Sequence, residues 1–295
     1  MTKMKQTLAA ALAATLIAAA LPAAAASREE VVRFEVDGQT VVGTLTLPET
    51  DEPAPVVLML FGFLGHRGEW AITGTEEGPY ARAARLWADR GIASLRIDYR
   101  GSGDSAGSFA EATVSSEAAD GIGAIAFLKA DPRLDGERLA VLGWSLGGPV
   151  ASAVARTSQP DALVLWNGVN DPMATFTGFF GNEVMAAEPE GAPLDVTMPW
   201  GQPIQLGRPM IAELRALDPA TELSGYAGPL LVAQGSNDVL VSADGVERLI
   251  DAHAGDELVW TAAMDHVFNI EAGPETLDAL IVATGDFLEA RLLRR

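Results

Sequence analysis

Leu139-Ala140-Val141-Leu142-Gly143-Trp144-Ser145-Leu146-Gly147-Gly148-Pro149 is the stretch on which the reading of this chain turns. The unbroken apolar run Leu139 to Leu142 has the habit of a strand buried on both faces. Gly147, Gly148 and Pro149 open a helix, since small residues allow close approach to a sheet and proline is tolerated in a first turn. Between them stands the pattern Gly-x-Ser-x-Gly. A serine held in a tight strand-to-helix turn has its Oγ exposed above the sheet, and glycines two residues to either side remove side chains that would clash. The helix N-terminus behind it favours negative charge developing beside the hydroxyl. Ser145 is therefore the candidate nucleophile. The ordinary alternative is a plain helix N-cap after a strand-end glycine, and the flanking strand and helix weigh against it.

Working outward, further apolar runs repeat the same rhythm at Val56 to Phe61, Ile92 to Ile97, Leu163 to Trp166, Leu230 to Ala233 and Leu258 to Ala262. Helical segments fall between them, near Tyr80 to Arg90, Glu117 to Ala130, Leu146 to Arg156 and Ala243 to His253, with a last one near Glu275 to Leu293. In the second, Ala118, Ile122, Ile125 and Leu128 recur at helical spacing and predict one buried stripe. Strands alternating with helices predict an α/β fold with a doubly wound, mostly parallel sheet. Ahead of it, Val32, Phe34 and Val36 alternate with Arg33 and Glu35, Asp37-Gly38 is a hairpin turn signal, and Thr40 to Leu47 supplies the return strand. An N-terminal antiparallel hairpin is expected. The interval from Trp166 to Leu230 breaks the rhythm with 63 residues, too many for a simple connection. Met173, Phe176, Phe179, Phe180, Met185, Met198, Trp200 and Met210 are scattered through it, which predicts a cap insertion at about 171–226 over the edge where ligands bind in open α/β sheets. An ordinary packing insertion is the alternative.

Lys3 and Lys5, the apolar stretch Leu8 to Leu21, Pro22 and the run Ala23 to Ala26 have the order of a secretory signal peptide over residues 1–26. The expected product is one domain, 27–295, exported to the periplasm or medium and without a stable membrane anchor after cleavage. The chain has no cysteine, which removes disulfides, thiolate metal sites and a cysteine nucleophile from consideration. Its formal charge of −20 becomes two units more negative without Lys3 and Lys5, a surface that repels nucleic acid.

A serine hydroxyl needs a base, and the chain holds three histidines. His253 falls toward the end of a helix expected at the surface, where a solvated or dipole role suffices. His66 lies in an early loop, ahead of the nucleophile. His266 follows the last apolar strand and is the candidate base. The orienting carboxylate belongs on a loop above the same edge. Asp238, in Gly235-Ser236-Asn237-Asp238, follows the strand Leu230 to Ala233 and is preferred; Asp171 and Asp265 compete. Attack on a carbonyl creates an oxyanion that calls for backbone donors. Leu146 N–H, next to the nucleophile, and Phe63 N–H, in Phe61-Gly62-Phe63-Leu64-Gly65, are the candidates.

From about Val56 onward the chain resembles the α/β-hydrolase family, and within it the bacterial esterases of the cinnamoyl or feruloyl type. The matching residues are Gly62-Phe63-Leu64-Gly65, Asp98-Tyr99-Arg100-Gly101-Ser102-Gly103, the serine elbow, Gly235-Ser236-Asn237-Asp238 and Asp265-His266. Phe61 stands where relatives usually carry a histidine. The resemblance implies a serine-dependent carboxylesterase acting through an acyl-enzyme on small aryl or acyl esters, with a small-molecule substrate and no metal or cofactor. Three alternatives stand beside it. The same triad could serve a peptidase, thioesterase or acyltransferase, and the fold could serve as a non-catalytic binding protein. Gly101-Ser102-Gly103-Asp104-Ser105-Ala106 also fits a loose dinucleotide fingerprint, but its acid, Asp120, falls in a predicted helix rather than at a strand end.

Overall fold

The structure is a computed structural model and describes residues 27–293; the expected leader, 1–26, lies outside the described residues. Two antiparallel strands open it, β1 (Arg28–Val36) and β2 (Gln39–Leu47), paired from Arg28 with Leu47 to Val36 with Gln39. Asp37 and Gly38 turn the chain with φ of 50° and 75°, the two left-handed residues that a tight hairpin requires. The strand β3 (Ala54–Leu60) follows, with α1 (Pro79–Ala88), β4 (Ala93–Asp98), α2 (Val114–Ala130), β5 (Leu134–Trp144), α3 (Gly147–Ser158) and β6 (Ala162–Trp166).

Between β6 and the next strand of the main sheet come α4 (Pro172–Met185), a separate two-stranded hairpin of β7 (Leu194–Thr197) and β8 (Pro203–Leu206), α5 (Arg208–Ala216) and α6 (Pro219–Ser224). The chain then returns through β9 (Leu230–Gly235), α7 (Val246–Ala252), β10 (Glu257–Ala262) and α8 (Glu275–Leu292).

Eight strands form one sheet in the order β1-β2-β4-β3-β5-β6-β9-β10. The strands β4, β3, β5, β6, β9 and β10 run parallel to their neighbours, and β2 joins β4 antiparallel. This is the doubly wound, mostly parallel sheet with an N-terminal hairpin that the sequence predicts. On one face α8 packs against β5, β6 and β9, and α1 packs against α8; on the other, α2 and α3 pack together against β3 and β5. Trp87 Nε1 donates to Ile281 O at 3.1 Å and Trp166 Nε1 to Thr284 Oγ1 at 3.0 Å, fastening α8 to α1 and to the sheet. Val56, Val57, Leu58, Met59 and Leu60 are all fully buried in β3. A large apolar side chain so placed contributes about 1.5–3 kcal/mol. Among the described residues no helix is long and apolar enough to cross a membrane.

Two elements depart from expectation. In α2 the buried face is Glu117, Asp120, Gly121, Ala124, Ile125 and Leu128, whereas Ile122 is exposed and Ala118 only partly covered. The helix lies so close to α3 that a Cβ on Gly121 would stand 2.7 Å from Val154 Cγ2, so small residues join Ile125 and Leu128 of the predicted stripe on the buried face, in place of Ile122. The strand β10 is not buried on both faces: it ends the sheet, pairs only with β9, and leaves Leu258 and Val259 nearly half exposed.

Candidate active site

The turn at Ser145 is built by backbone strain. Ser145 has φ of 58°, a left-handed conformation that costs a non-glycine residue about 1–3 kcal/mol and persists only where its surroundings over-determine it. Those surroundings are specific. Ser145 N–H donates to Trp166 O at 3.1 Å, and Ser145 O accepts from Gly148 N and Val169 N, each at 2.9 Å. A side chain at Gly143 would collide with Gly147 O, and one at Gly147 with Leu60 O, so both positions of the Gly-x-Ser-x-Gly pattern are sterically required.

The hydroxyl of Ser145 meets His266, whose Nε2 lies 2.9 Å from Oγ. The other ring nitrogen, Nδ1, is 2.8 Å from Asp238 Oδ2. The structure thus brings together the three side chains singled out in sequence, from positions 121 and 28 residues apart. The Asp238 side chain is fully buried, and its second oxygen is occupied: Oδ1 accepts from Leu240 N and Val241 N, both at 2.9 Å. With both oxygens committed, the carboxylate has one orientation. An Nδ1–H donated to Oδ2 leaves Nε2 as the acceptor facing the serine, the tautomer that proton removal from Oγ needs.

The competing carboxylates are employed elsewhere. Asp171 caps α4 by accepting from Ala174 N at 2.9 Å. Asp265 accepts from Val267 N at 3.0 Å and Asn269 N at 2.7 Å, which shapes the turn that presents His266. Among the other histidines, His66 is exposed, but His253 is not the solvated group expected from its helix end. Its side chain is fully buried, with Nε2 2.9 Å from Gly228 O and Nδ1 3.1 Å from Glu257 Oε1, and it joins the end of α7 to the strands beside it. Asp120 lies in α2 and accepts from Arg100 N at 2.8 Å and Arg100 Nε at 2.5 Å, so the dinucleotide reading loses its acid.

The loop after β3 touches Ser145. A Cβ on Gly62 would lie 2.7 Å from Ser145 Cβ and 3.2 Å from its Oγ, so the main chain passes directly over the serine. Among the hydrogen bonds of the described residues, neither Phe63 N–H nor Leu146 N–H has a protein acceptor, and both remain available to a bound oxygen. Phe61 is 1% exposed and packs its ring 4.6 Å from that of Tyr80, inside the core.

One residue escaped sequence reasoning. Asn167, fully buried with φ of 44°, directly follows β6. Its Nδ2 donates to Asp265 O at 3.0 Å and His266 O at 3.1 Å, while its Oδ1 accepts from Gly235 N at 2.8 Å. It links the strand ends that carry the histidine and the aspartate. The available signal was an asparagine between an apolar strand and Gly168, a position that tolerates the left-handed conformation.

A cavity of about 210 Å³ opens over the serine, lined by Gly62, Phe63, Trp70, Trp144, Phe179, Trp200, Leu240 and Val267 with Ser145 and His266. Phe179 and Trp200 come from the 63 residues between β6 and β9. A more open groove of about 400 Å³ lies away from the serine between α2, α3, α5 and α6; it holds the Arg156–Glu222 pair and no candidate nucleophile with a base.

Comparison with solved structures places this architecture. The structure of Est1E from Butyrivibrio proteoclasticus with ferulic acid bound superposes with a TM-score of 0.73 at 18% identity, covering 89% of this chain and 100% of that one. The chain has the α/β-hydrolase fold. The esterase domain of a Rhodothermus marinus protein shares this α/β-hydrolase architecture with a TM-score of 0.64 at 18% identity, over 90% of this chain and 99% of that one. An acylaminoacyl peptidase from Pyrococcus horikoshii gives 0.66 at 18% identity, over 91% of this chain but 42% of its own. Residues 37–178 match the model of the X-Pro dipeptidyl-peptidase (S15) family. No curated protein sequence matches the chain.

Proposed function

We propose that this α/β-hydrolase is a serine-dependent carboxylic ester hydrolase acting through an acyl-enzyme on small aryl or acyl esters. The observation that carries the reading is the continuous chain of contacts from Ser145 Oγ through His266 to Asp238, at 2.9 and 2.8 Å. In the proposed reaction His266 Nε2 takes the Ser145 proton as Oγ attacks the ester carbonyl, and Asp238 stabilises the resulting imidazolium. The oxyanion accepts from Phe63 N–H and Leu146 N–H. The imidazolium returns the proton to the leaving alkoxide, and water, deprotonated by the same nitrogen, hydrolyses the acyl-enzyme. The reading includes export directed by residues 1–26.

The cavity favours esters over N-terminal peptides. A dipeptide-releasing enzyme must hold a substrate ammonium, and a desolvated ammonium needs a carboxylate partner. Among the described residues, the walls over Ser145 contain no aspartate or glutamate. An apolar cavity of about 150 Å³ accepts benzene, so the space here suits one aryl ring or a short acyl chain. The peptidase reading rests on the S15 match and the P. horikoshii likeness and remains the second reading.

The test is labelling by a fluorophosphonate, followed by assay on p-nitrophenyl esters of increasing acyl length and on peptide p-nitroanilides. The wild type should label and cleave the esters, and Ser145→Ala should do neither. Equal labelling of Ser145→Ala removes the nucleophile assignment, and turnover confined to peptides selects the peptidase.

A further inference from the structure

The loop that passes over the serine has little of its own to hold it. From Gly62 to Arg67 its internal backbone bond is Gly65 N–H to Gly62 O at 2.9 Å, and Leu64 sits at φ of 62°. Its far end, however, is clamped. Asp98, the last residue of β4 and 1% exposed, accepts from Arg67 N at 2.7 Å through Oδ1 and from Arg67 Nε at 3.0 Å through Oδ2. The same Oδ2 accepts from Asp104 N at 2.9 Å. Arg67 Nη1 donates to Thr44 Oγ1 on β2 at 3.1 Å, and Nη2 pairs with the Asp104 carboxylate. The Arg67 side chain is 16% exposed and that of Asp98 1%, so the bonds between these two operate largely out of water, where they are strong and directional.

The clamp also joins the oxyanion loop to the segment Gly101 to Ser105, whose glycines and serines the proposed reaction does not otherwise employ. Ser105 Oγ donates to Asp98 O at 2.7 Å and accepts from Val42 N at 2.8 Å, and Ser102 Oγ reaches Gly65 O at 3.5 Å. Strands β2 and β4 and two loops therefore meet at the Arg67–Asp98 pair, and Arg67 lies four residues along the chain from Phe63.

We infer that Arg67 and Asp98 are positioning residues for the oxyanion hole: the forked ion pair holds the loop Gly62 to Arg67 so that Phe63 N–H meets the developing oxyanion. The inference rests on the esterase reading above. A donor aimed at the transition state adds to rate rather than to ground-state binding, and a displacement of about 1 Å costs up to about a hundredfold. Loosening the clamp therefore lowers kcat and leaves KM near its original value.

The test compares Arg67→Gln, Arg67→Lys and Asp104→Asn with the wild type on p-nitrophenyl acetate, with rates normalised to sites titrated by fluorophosphonate. Inhibition by an aryl trifluoromethyl ketone, which forms an oxyanion on the serine, is measured in parallel. Arg67→Gln should lower kcat by about tenfold to a hundredfold with KM within about threefold, and should weaken the ketone by the same factor as kcat/KM. Arg67→Lys keeps the charge and should recover part of the loss. Asp104 is 68% exposed at its side chain, so Asp104→Asn leaves the core intact should the Arg67 variants fail to fold; it should lower kcat about two- to fivefold by releasing one arm of the clamp. Variants that fold, yet keep kcat per titrated site and the ketone affinity, overturn the positioning role; so does a rise in KM at constant kcat. A wild type that takes no label at Ser145 refutes the esterase reading itself, whereas a labelled, active wild type with unaffected variants refutes this inference alone.

Discussion

Two kinds of wall enclose the cavity over Ser145, and they are held by different forces. On one side Ser145, Asp238 and His266 stand on loops after β5, β9 and β10, tied by directional hydrogen bonds through Asn167, Asp265 and the main chain. On the other, α4 and the β7–β8 hairpin contribute Phe179 and Trp200, held by ring contacts: Phe179 to Trp200 at 6.0 Å, Phe176 to Phe179 at 5.8 Å, and Phe63 to Phe176 at 5.4 Å. Trp200 is 53% exposed, and its indole N–H donates only to Gln202 Oε1 nearby. Proton transfer requires placement to a fraction of an ångström, which directional bonds supply; selecting a substrate by shape requires apolar area, which edge-to-face rings supply without fixing one geometry. Chemistry should therefore collapse when the first wall is altered, and selectivity should drift when the second is.

The sharpest way to break this contrast is Asp238→Asn. The amide can still accept from Leu240 N and Val241 N through its oxygen, which preserves the loop, but its NH₂ then faces His266 and favours the tautomer with the proton on Nε2. A fall in kcat on the order of 10⁴ is expected with an unchanged circular dichroism spectrum. A loss below about tenfold would mean that another carboxylate serves the histidine. Asn167→Ala probes the same wall one step back. It orphans the buried Gly235 N–H and places alanine at a left-handed position, so unfolding in urea should show a loss of about 3–4 kcal/mol, with kcat reduced as the His266 loop loosens. Full stability in this variant would show that the strand ends hold without it.

The same division explains what the sequence made legible. The elbow, Asp238 and His266 could be read because each follows an apolar run, so that topology alone delivers it to one edge of the sheet. Asn167 could not, because its role lies in reaching two loops distant in the chain. The β7–β8 hairpin was hidden because its strands are only four residues each, too short for the alternation of Leu194 and Val196 with Asp195 and Thr197, or of Ile204 and Leu206 with Pro203 and Gln205, to stand out. The face of α2 was misread because periodicity weighs apolar size, whereas close approach to α3 selects Gly121 and Ala124, and Asp120 goes inward to meet Arg100. His253 was misplaced because a helix end gives no sign that Gly228 and Glu257 will close over it.

Trp70 and its neighbour Glu69 sharpen the comparison, since the first lines the cavity and the second is bound by directional contacts. Glu69 Oε1 accepts from Tyr80 N at 2.7 Å and Oε2 from Ala81 N at 2.9 Å, capping α1 from outside the helix. Burial pushes its carboxyl up to about 7, against the pull of those two N–H groups and of Arg96, with Glu29 adding to the rise. A raised folded-state value means that the unfolded chain ionises first. The contribution to stability is complete below about pH 4.5 and is lost as pH rises to about 7. Relative to Glu69→Gln, which does not titrate, the wild type should lose about 2–3 kcal/mol of unfolding free energy between about pH 5 and pH 8. Parallel stability curves would mean that the capping bonds outweigh desolvation.

The smallest effect belongs to the second wall. Trp200→Ala removes an exposed ring that touches Phe179 and donates no hydrogen bond to the sheet or to the triad, so stability should change by no more than about 0.5 kcal/mol. What it does remove is apolar area over the serine. For an aryl acyl ester, kcat/KM should fall about threefold to tenfold, through lost contact worth about 1 kcal/mol, while hydrolysis of an acetyl ester should be nearly unchanged because its acyl group is too small to reach the ring. If both esters lose equally, Trp200 supports the triad wall and the two walls are mechanically one. If neither changes, the substrate lies against Trp70, Leu240 and Val267 instead, and selectivity resides in the loops that also carry Phe63 and Asp238.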